Sequence, residues 1–474
     1  MPHQTKIVRL KLLLAASTKA NISAVRFPEF SKGRGTRQHP MRTNTCFMTN
    51  RNHRSTPNTS FLGFAIGGGL FRLVLLAVPA LAFAENWPQW RGPRGDGTCM
   101  EKSVPVEWNV QSNCAWKTEL PGAAHSSPII WGDRLFTATA LREKGQRILL
   151  GLDRKTGQIL WQQVVLDAPL EKKNRENSYA SGTPASDGEK VYTAFLGGQD
   201  VVVSAYDFSG KQVWQSRPGQ FASPHGYSGS PILFKDKIIV AGDNTGESWV
   251  AALARTDGKT LWKTPREKSN ISFGTPLIRE LAGRSQMFIA GNTCVTSYDP
   301  NDGSRIWFAD GPSDQAVAST VYSELAGLLF ATGGYPQRFL LAIKPDGSGN
   351  VSETHVTWRN SEGVAYVPSP ILVGEYLVTV TPNSVMYCLE AATGKVLWKE
   401  KAVKHHASPV SVNGLVYFID DNGQINVIKP GPTFERVGQH ELGEATYASP
   451  AISEGQVFLR GEKTLFCIGK ATKQ

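Results

Sequence analysis

Two groups of residues in this chain are of types that do chemistry, and both recur at regular intervals. The first is a set of acids, Asp153, Asp207, Asp299 and Glu390. Carboxylates that converged could serve acid–base chemistry. Each of these, though, precedes a glycine by three or four residues, and that glycine precedes a tryptophan by four. An acid that caps backbone N–H groups, followed by a glycine that supplies positive φ, is the composition of a hairpin turn. Turn capping is therefore the expected role.

The second group is aromatic and imidazole: His125, Tyr179, His225, Tyr227, Phe273, Tyr366, His405, His406 and Tyr447. Every one lies shortly before a Ser/Thr-Pro pair. If those loops converge, their side chains form a rim for a flat ligand, a sugar or a peptide. The competing role is packing between neighbouring sheets. Adjacent His405 and His406 make a poor metal site, because neighbours on an extended chain face opposite ways. Glu176, Asn177 and Asn270 bring oxygens to the same class of loop, but no spacing dictates a calcium cage. The ligand-binding candidates are His125, Tyr179, His225, Tyr227, Tyr366, His406 and Tyr447; no catalytic residue and no metal ligand is assigned.

The elements that must position these loops form a repeat. Ser/Thr-Pro pairs begin at 127, 183, 230, 275, 369, 408 and 449, and Ser319-Thr320 is a degenerate eighth member. The eight starts are separated by 56, 47, 45, 44, 50, 39 and 41 residues. Proline is tolerated at the first residue of a strand, where no ladder bond need be donated. Each unit closes on the acid–glycine turn and a tryptophan, giving Trp161, Trp214, Trp262, Trp307, Trp358 and Trp398; the seventh unit has lost its tryptophan. At a fixed distance from the turn, the indole projects the same way in every unit and can seal one sheet against the next. Four short strands cannot bury both faces alone, so the units must stack, and radial stacking at this period gives an eight-bladed all-β propeller of four-stranded antiparallel blades. The eighth unit ends after three strands. Residues 113–117 carry a spare fourth strand with Trp116, so the N-terminal strand is expected to complete the last blade.

The net charge of +11 comes from 51 basic and 40 acidic residues, and the excess lies entirely in residues 1–84. The body is balanced, which argues against nucleic acid as a partner. A basic stretch, an apolar run and Ala82-Phe83-Ala84 read as a signal peptide cleaved between Ala84 and Glu85, with Met41 or Met48 the expected true start. The apolar run is too short for a comfortable bilayer span. The organisation expected is a leader over 1–84, an N-terminal arm over 85–112 and the propeller over 113–470. Of the cysteines beyond the leader, Cys294, Cys388 and Cys467 lie in apolar strands and read as buried thiols, and Cys99 with Cys114 is the expected bridge.

The repeat resembles the pyrroloquinoline quinone (PQQ)-like propeller repeat over roughly residues 86–470, and Asn86-Trp87-Pro88-Gln89-Trp90-Arg91-Gly92 resembles the opening of exported members. Two branches are implied. Quinoprotein dehydrogenases bind PQQ and calcium over the channel and oxidise alcohols or sugars; BamB-type proteins hold partner proteins without a cofactor. Neither adjacent cysteines, usual in the first branch, nor the lipid-anchoring cysteine of the second is present. The expectation is an exported, periplasmic or secreted, non-catalytic scaffold. Its partner would be an envelope protein or an extracellular ligand at the channel mouth, and it would be a monomer without a membrane span once the leader is removed. A PQQ- and calcium-dependent dehydrogenase is the alternative.

Overall fold

A computed structural model describes residues 85–268 and 270–470. The leader, its cleavage point and the two candidate start methionines lie outside these residues. Eight antiparallel sheets follow one another along the chain. Their innermost strands are Ile129–Trp131, Ala185–Ser186, Ile232–Phe234, Leu277–Leu281, Val321–Ser323, Ile371–Val373, Val410–Val412 and Ala451–Ser453, and the sheets are numbered here as blades one to eight in that order. No helix among the described residues is long and apolar enough to cross a membrane.

Blade eight is completed as the sequence implies. Cys114–Glu119 pairs antiparallel with Thr464–Ile468, the last strand of the chain, with Trp116 opposite Cys467. The join to blade one carries further links: Arg460 Nη1 donates to Thr137 Oγ1 at 2.6 Å, and Arg154 Nη2 donates to Gln456 Oε1 at 3.0 Å. The ring is thus held without a covalent bond.

The tryptophans do what their spacing implies. Each indole N–H donates across the blade interface to a carbonyl in the next unit: Trp116 to Arg154, Trp161 to Phe208, Trp214 to Arg255, Trp262 to Pro300, Trp307 to Pro345, Trp358 to Ala391 and Trp398 to Gly431. The turn glycine matters here twice. At Gly258 φ is +75°, and a Cβ would lie 2.5 Å from the ring of Trp214. Within its own blade each indole faces a small residue on the third strand, such as Gly151 opposite Trp161, Ala205 opposite Trp214 and Cys388 opposite Trp398. The acids cap the turns: Asp153 Oδ1 accepts the Thr156 N–H at 2.8 Å and Asp207 Oδ1 the Ser209 N–H at 2.9 Å. They are spread around the ring rather than gathered.

Blade seven has Gly438 where the others carry tryptophan, opposite Val427. The arm supplies the missing ring. Trp108 is buried and stacks on His440 at 4.6 Å, while the Val106 carbonyl occupies the space a Cβ on Gly438 would need, 2.8 Å away. The arm departs from a simple linker elsewhere too. Trp87 bridges Ile130 in blade one, the Pro88 carbonyl accepts the Ser186 N–H in blade two, Gln89 Oε1 accepts the Leu233 N–H in blade three, and Asp96 pairs with Arg279 in blade four. Thr98–Cys99 then runs parallel to the inner strand of blade seven, giving that blade a fifth strand. Blade four also has five, because Gly349–Asn350, in the stretched turn before Trp358, lies parallel to Trp307 and Phe308.

The cysteine expectations need correction. All five described cysteines are free. Cys99 sits on the inner edge of blade seven and Cys114 on the outermost strand of blade eight, so the strand geometry keeps the pair apart. Cys294 is partly exposed, unlike the buried Cys388 and Cys467.

Candidate ligand pocket at the channel mouth

The Ser/Thr-Pro pairs set the wall of the channel. Their hydroxyl oxygens accept main-chain N–H groups from the blade before: Thr183 Oγ1 from Ser127 and Ser230 Oγ from Thr183, both at 3.0 Å. Ser369, Ser408 and Ser449 accept from Ser319, Ser369 and Ser408 at 2.9 Å, and Ser127 accepts from Ser449 at 2.9 Å. Proline after the hydroxyl residue leaves the following position without an N–H, so the hydroxyl belt carries the inter-blade bonding here.

Above the belt, the loops that lead into the inner strands enclose a cavity of about 270 Å³. Five of the seven predicted rim residues line it: His125, His225, Tyr366, His406 and Tyr447. Tyr179 and Tyr227 lie outside that lining. Tyr179 is half-buried beneath Lys173, whose Nζ is 5.1 Å from the ring centre. Tyr227 is buried within blades two and three, edge-on to Phe221 at 5.1 Å. Phe273 also lines the pocket, as does Trp90 of the arm. The paired histidines diverge: His405 is buried edge-on against Phe418, and His406 faces the cavity.

The rings are ordered among themselves. Tyr447 lies between His125, 4.4 Å away and tilted, and His406, 5.5 Å away and edge-on. Burial, with His406, Arg460 and Lys173 nearby, pushes His125 down to about 3, so it is a neutral imidazole at ordinary pH. Burial raises the Tyr366 and Tyr447 phenols, which stay protonated. Tyr366 donates to Gln315 Oε1 at 3.3 Å and packs on Gly334, where a Cβ would meet its ring at 2.5 Å.

A single loop crosses the mouth. Residues 168–184, between blades one and two, reach the loop before blade seven, where Lys404 pairs with Glu176 and His406 Nε2 lies 3.5 Å from Glu176 Oε2. On the other side His406 Nδ1 is 2.8 Å from Asp421 Oδ2. The Lys404 ammonium, donating to it, holds Glu176 below the ordinary carboxylate range. The loop is anchored at its near end as well, since the His225 carbonyl accepts from the Asn174 N–H at 3.2 Å and from Asn177 Nδ2 at 2.8 Å.

Sequence reasoning did not find Trp90, Lys404, Asp421 or the belt's purpose. Trp90 stands in the arm, far from the repeat in sequence. The Lys404–Glu176 contact joins residues 228 positions apart, for which no local signal exists. The recurrence of Ser or Thr before proline was the one available clue to the belt.

A family profile described as outer membrane protein assembly factor BamB matches residues 106–195, 144–400 and 349–431. The chain is 21% identical over 295 residues to the outer membrane protein assembly factor BamB of Shewanella oneidensis, covering 58% of this chain and 70% of that protein. It is 21% identical over 378 residues to a polyvinylalcohol dehydrogenase of Sphingopyxis, covering 61% of this chain and 57% of that enzyme, so it spans little more than half the enzyme's length. The crystal structure of BamB from Moraxella catarrhalis superposes with a TM-score of 0.55 at 14% identity, over 75% of this chain and 99% of that one. At that identity the likeness is one of fold.

Proposed function

The chain belongs to the PQQ-like propeller family whose profile bears the BamB description, and on that premise we propose that it is an exported, non-catalytic binding scaffold with its ligand at the channel mouth. The observation that carries this reading is the composition of the pocket: rings from separate blades and from Trp90 of the arm, lining one cavity with uncharged hydroxyls. A hydrolytic nucleophile needs a base within hydrogen-bond reach. The belt serines Ser127, Ser408 and Ser449 instead use their oxygens to accept main-chain N–H groups. The basic leader with its Ala82-Phe83-Ala84 signal supports export. The BamB relative of Shewanella oneidensis supports an envelope protein as a partner.

The second reading is a PQQ- and calcium-dependent dehydrogenase, favoured by the indole of Trp90 in the pocket's lining and by the dehydrogenase relative. The residues present do not fit that pair of groups. A tricarboxylic quinone calls for cations on the wall, and among the described residues no Lys or Arg lines the pocket. Calcium takes six to eight oxygens, whereas Asn174 and Asn177 turn their Oδ1 atoms to the Glu176 and Ser178 N–H groups at 2.9 and 2.8 Å, and Glu176 is paired with Lys404.

Titration of the protein with PQQ and calcium, following thermal stability and dye reduction, separates the two readings. A native-state ligand at a hundred times its Kd adds about 2.7 kcal/mol. A calcium-dependent rise in Tm with turnover of an alcohol or aldose overturns the scaffold reading; no rise and no turnover supports it. Capture of an envelope protein by the tagged chain, with N-terminal sequencing that finds Glu85 first, supports the rest.

A further inference from the structure

We infer that the channel-mouth pocket binds a neutral carbohydrate, one sugar ring at a time, with the ring face laid on an aromatic side chain and its hydroxyls bonded to uncharged protein groups. This rests on the scaffold reading above and narrows its ligand. The argument is by charge, then by shape, then by hydrogen-bonding capacity.

Charge removes most ligand classes. Among the described residues no lysine or arginine lines the cavity, so an anion would lose its hydration without meeting an ammonium or guanidinium on the wall. The one lining carboxylate, Glu176, is already paired with Lys404, so a cation would have to break that pairing. His125 is kept neutral by its burial. What remains favours an uncharged ligand.

Shape narrows the choice again. A cavity of about 270 Å³ is at the low end for small-molecule sites, which begin near ~300 Å³. It admits one ring rather than a length of polypeptide. Four aromatic side chains, Trp90, Tyr447, Tyr366 and Phe273, stand in its lining. The axial C–H face of a pyranose is apolar and flat, and stacks on such rings with the same area gain as any apolar contact.

Hydrogen-bonding capacity fits a polyol. The oxygens of Ser127, Ser408 and Ser449 each accept a main-chain N–H, which leaves each hydroxyl hydrogen to donate toward the channel. Thr275, also in the lining, has a hydroxyl with no hydrogen bond among the described residues, and neutral His125 offers one donor and one acceptor. Donors and acceptors in comparable number, all uncharged, are what a sugar's hydroxyls require and what an apolar ligand would leave unsatisfied.

The test uses the full-length chain and calorimetric titration with three probes: neutral trisaccharides of glucose, mannose and N-acetylglucosamine; the matching uronic-acid oligosaccharides; and an uncharged tripeptide. Binding of at least one neutral trisaccharide, with the acidic sugars and the peptide weaker, is expected. Tyr447→Ala and the near-isosteric Thr275→Val should each weaken that binding by about tenfold, the equivalent of one lost contact of ~1.4 kcal/mol, while Thr275→Val melts with the wild type. If the peptide binds at the mouth and the neutral sugars do not, the carbohydrate assignment falls and the scaffold reading stands. If no probe binds while the PQQ titration succeeds, both fall. If a sugar binds but neither substitution weakens it, the site is elsewhere and the assignment is overturned.

Discussion

The main-chain N–H of Ser449 donates to the hydroxyl of Ser127 at 2.9 Å, joining the last blade to the first through the same bond that joins five other neighbouring pairs. The two residues are 322 positions apart, yet their local sequence, a hydroxyl residue before proline, is the ordinary repeat. The seam of the ring is thus built with the same chemistry as its interior.

Replacing Ser127 with Ala leaves the Ser449 N–H without an acceptor in a buried site. Such a loss costs about 1–3 kcal/mol. Ser127→Thr should be tolerated, because threonine does the same work at Thr183. Urea unfolding of the two variants checks both expectations, and equal losses would show that the belt is dispensable.

Trp307 is buried, donates to the Pro345 carbonyl and packs under the added strand of blade four. Trp307→Ala should cost about 3–5 kcal/mol. Gly258→Ala tests the other side of a docking contact. Its Cβ would enter the ring of Trp214 at a positive φ, so the substitution should destabilise by more than the ~1 kcal/mol typical of point substitutions in general. A Tm series over these variants checks the order Trp307→Ala, then Gly258→Ala, then exposed controls.

Restoring tryptophan to the one unit that lacks it should harm the protein. Gly438→Trp would drive its Cβ into the Val106 carbonyl, 2.8 Å away, and compete with Trp108 for the same face. Trp108→Ala, by contrast, should behave like loss of a docking tryptophan. A stabilised Gly438→Trp would refute the idea that the arm fills that place.

Two pH effects have opposite reach. The folded pKa of His125, about 3, lies below its ordinary 6.5. Between those values the unfolded chain holds the extra proton, so stability rises with pH across that window and is complete above it. The slope is up to about 1.4 kcal/mol per pH unit for one proton, and His125→Phe should flatten it. Glu176, held below its ordinary 4.5 by Lys404, keeps the crossing loop latched at higher pH and releases it only as pH falls past its lowered folded value. Hydrogen exchange in residues 172–178 should therefore stay slow down to the carboxylate range and quicken below it. Glu176→Gln should quicken it at neutral pH.

Much of the fold could be read before any coordinates. The Ser/Thr-Pro starts mark the inner strands, and the Asp–Gly–Trp spacing marks the interfaces, because both come from local turn and packing rules that recur from unit to unit. Closure by Trp116 was legible for the same reason, since a unit short of one strand and a strand short of one unit must meet. The pocket was only half legible. Loop position put His125, His225, Tyr366, His406 and Tyr447 near the axis, but loop path decided that Tyr227 turns into the blades and Tyr179 under Lys173. The arm was the least legible part. Its contacts with Ile130, Leu233, Arg279 and Val412 are all long-range and follow no period.

The pairing of Cys114–Glu119 with Thr464–Ile468 has a consequence for the order of events in synthesis. Cys114–Glu119 must wait, unpaired, until Thr464–Ile468 exists, and the entropic cost of closing that loop grows only slowly with its length. Proofreading of completeness is therefore built into assembly: a polypeptide released before Thr464 has no seat for Trp116 and keeps two open sheet edges, which are templates for aggregation and targets for proteolysis.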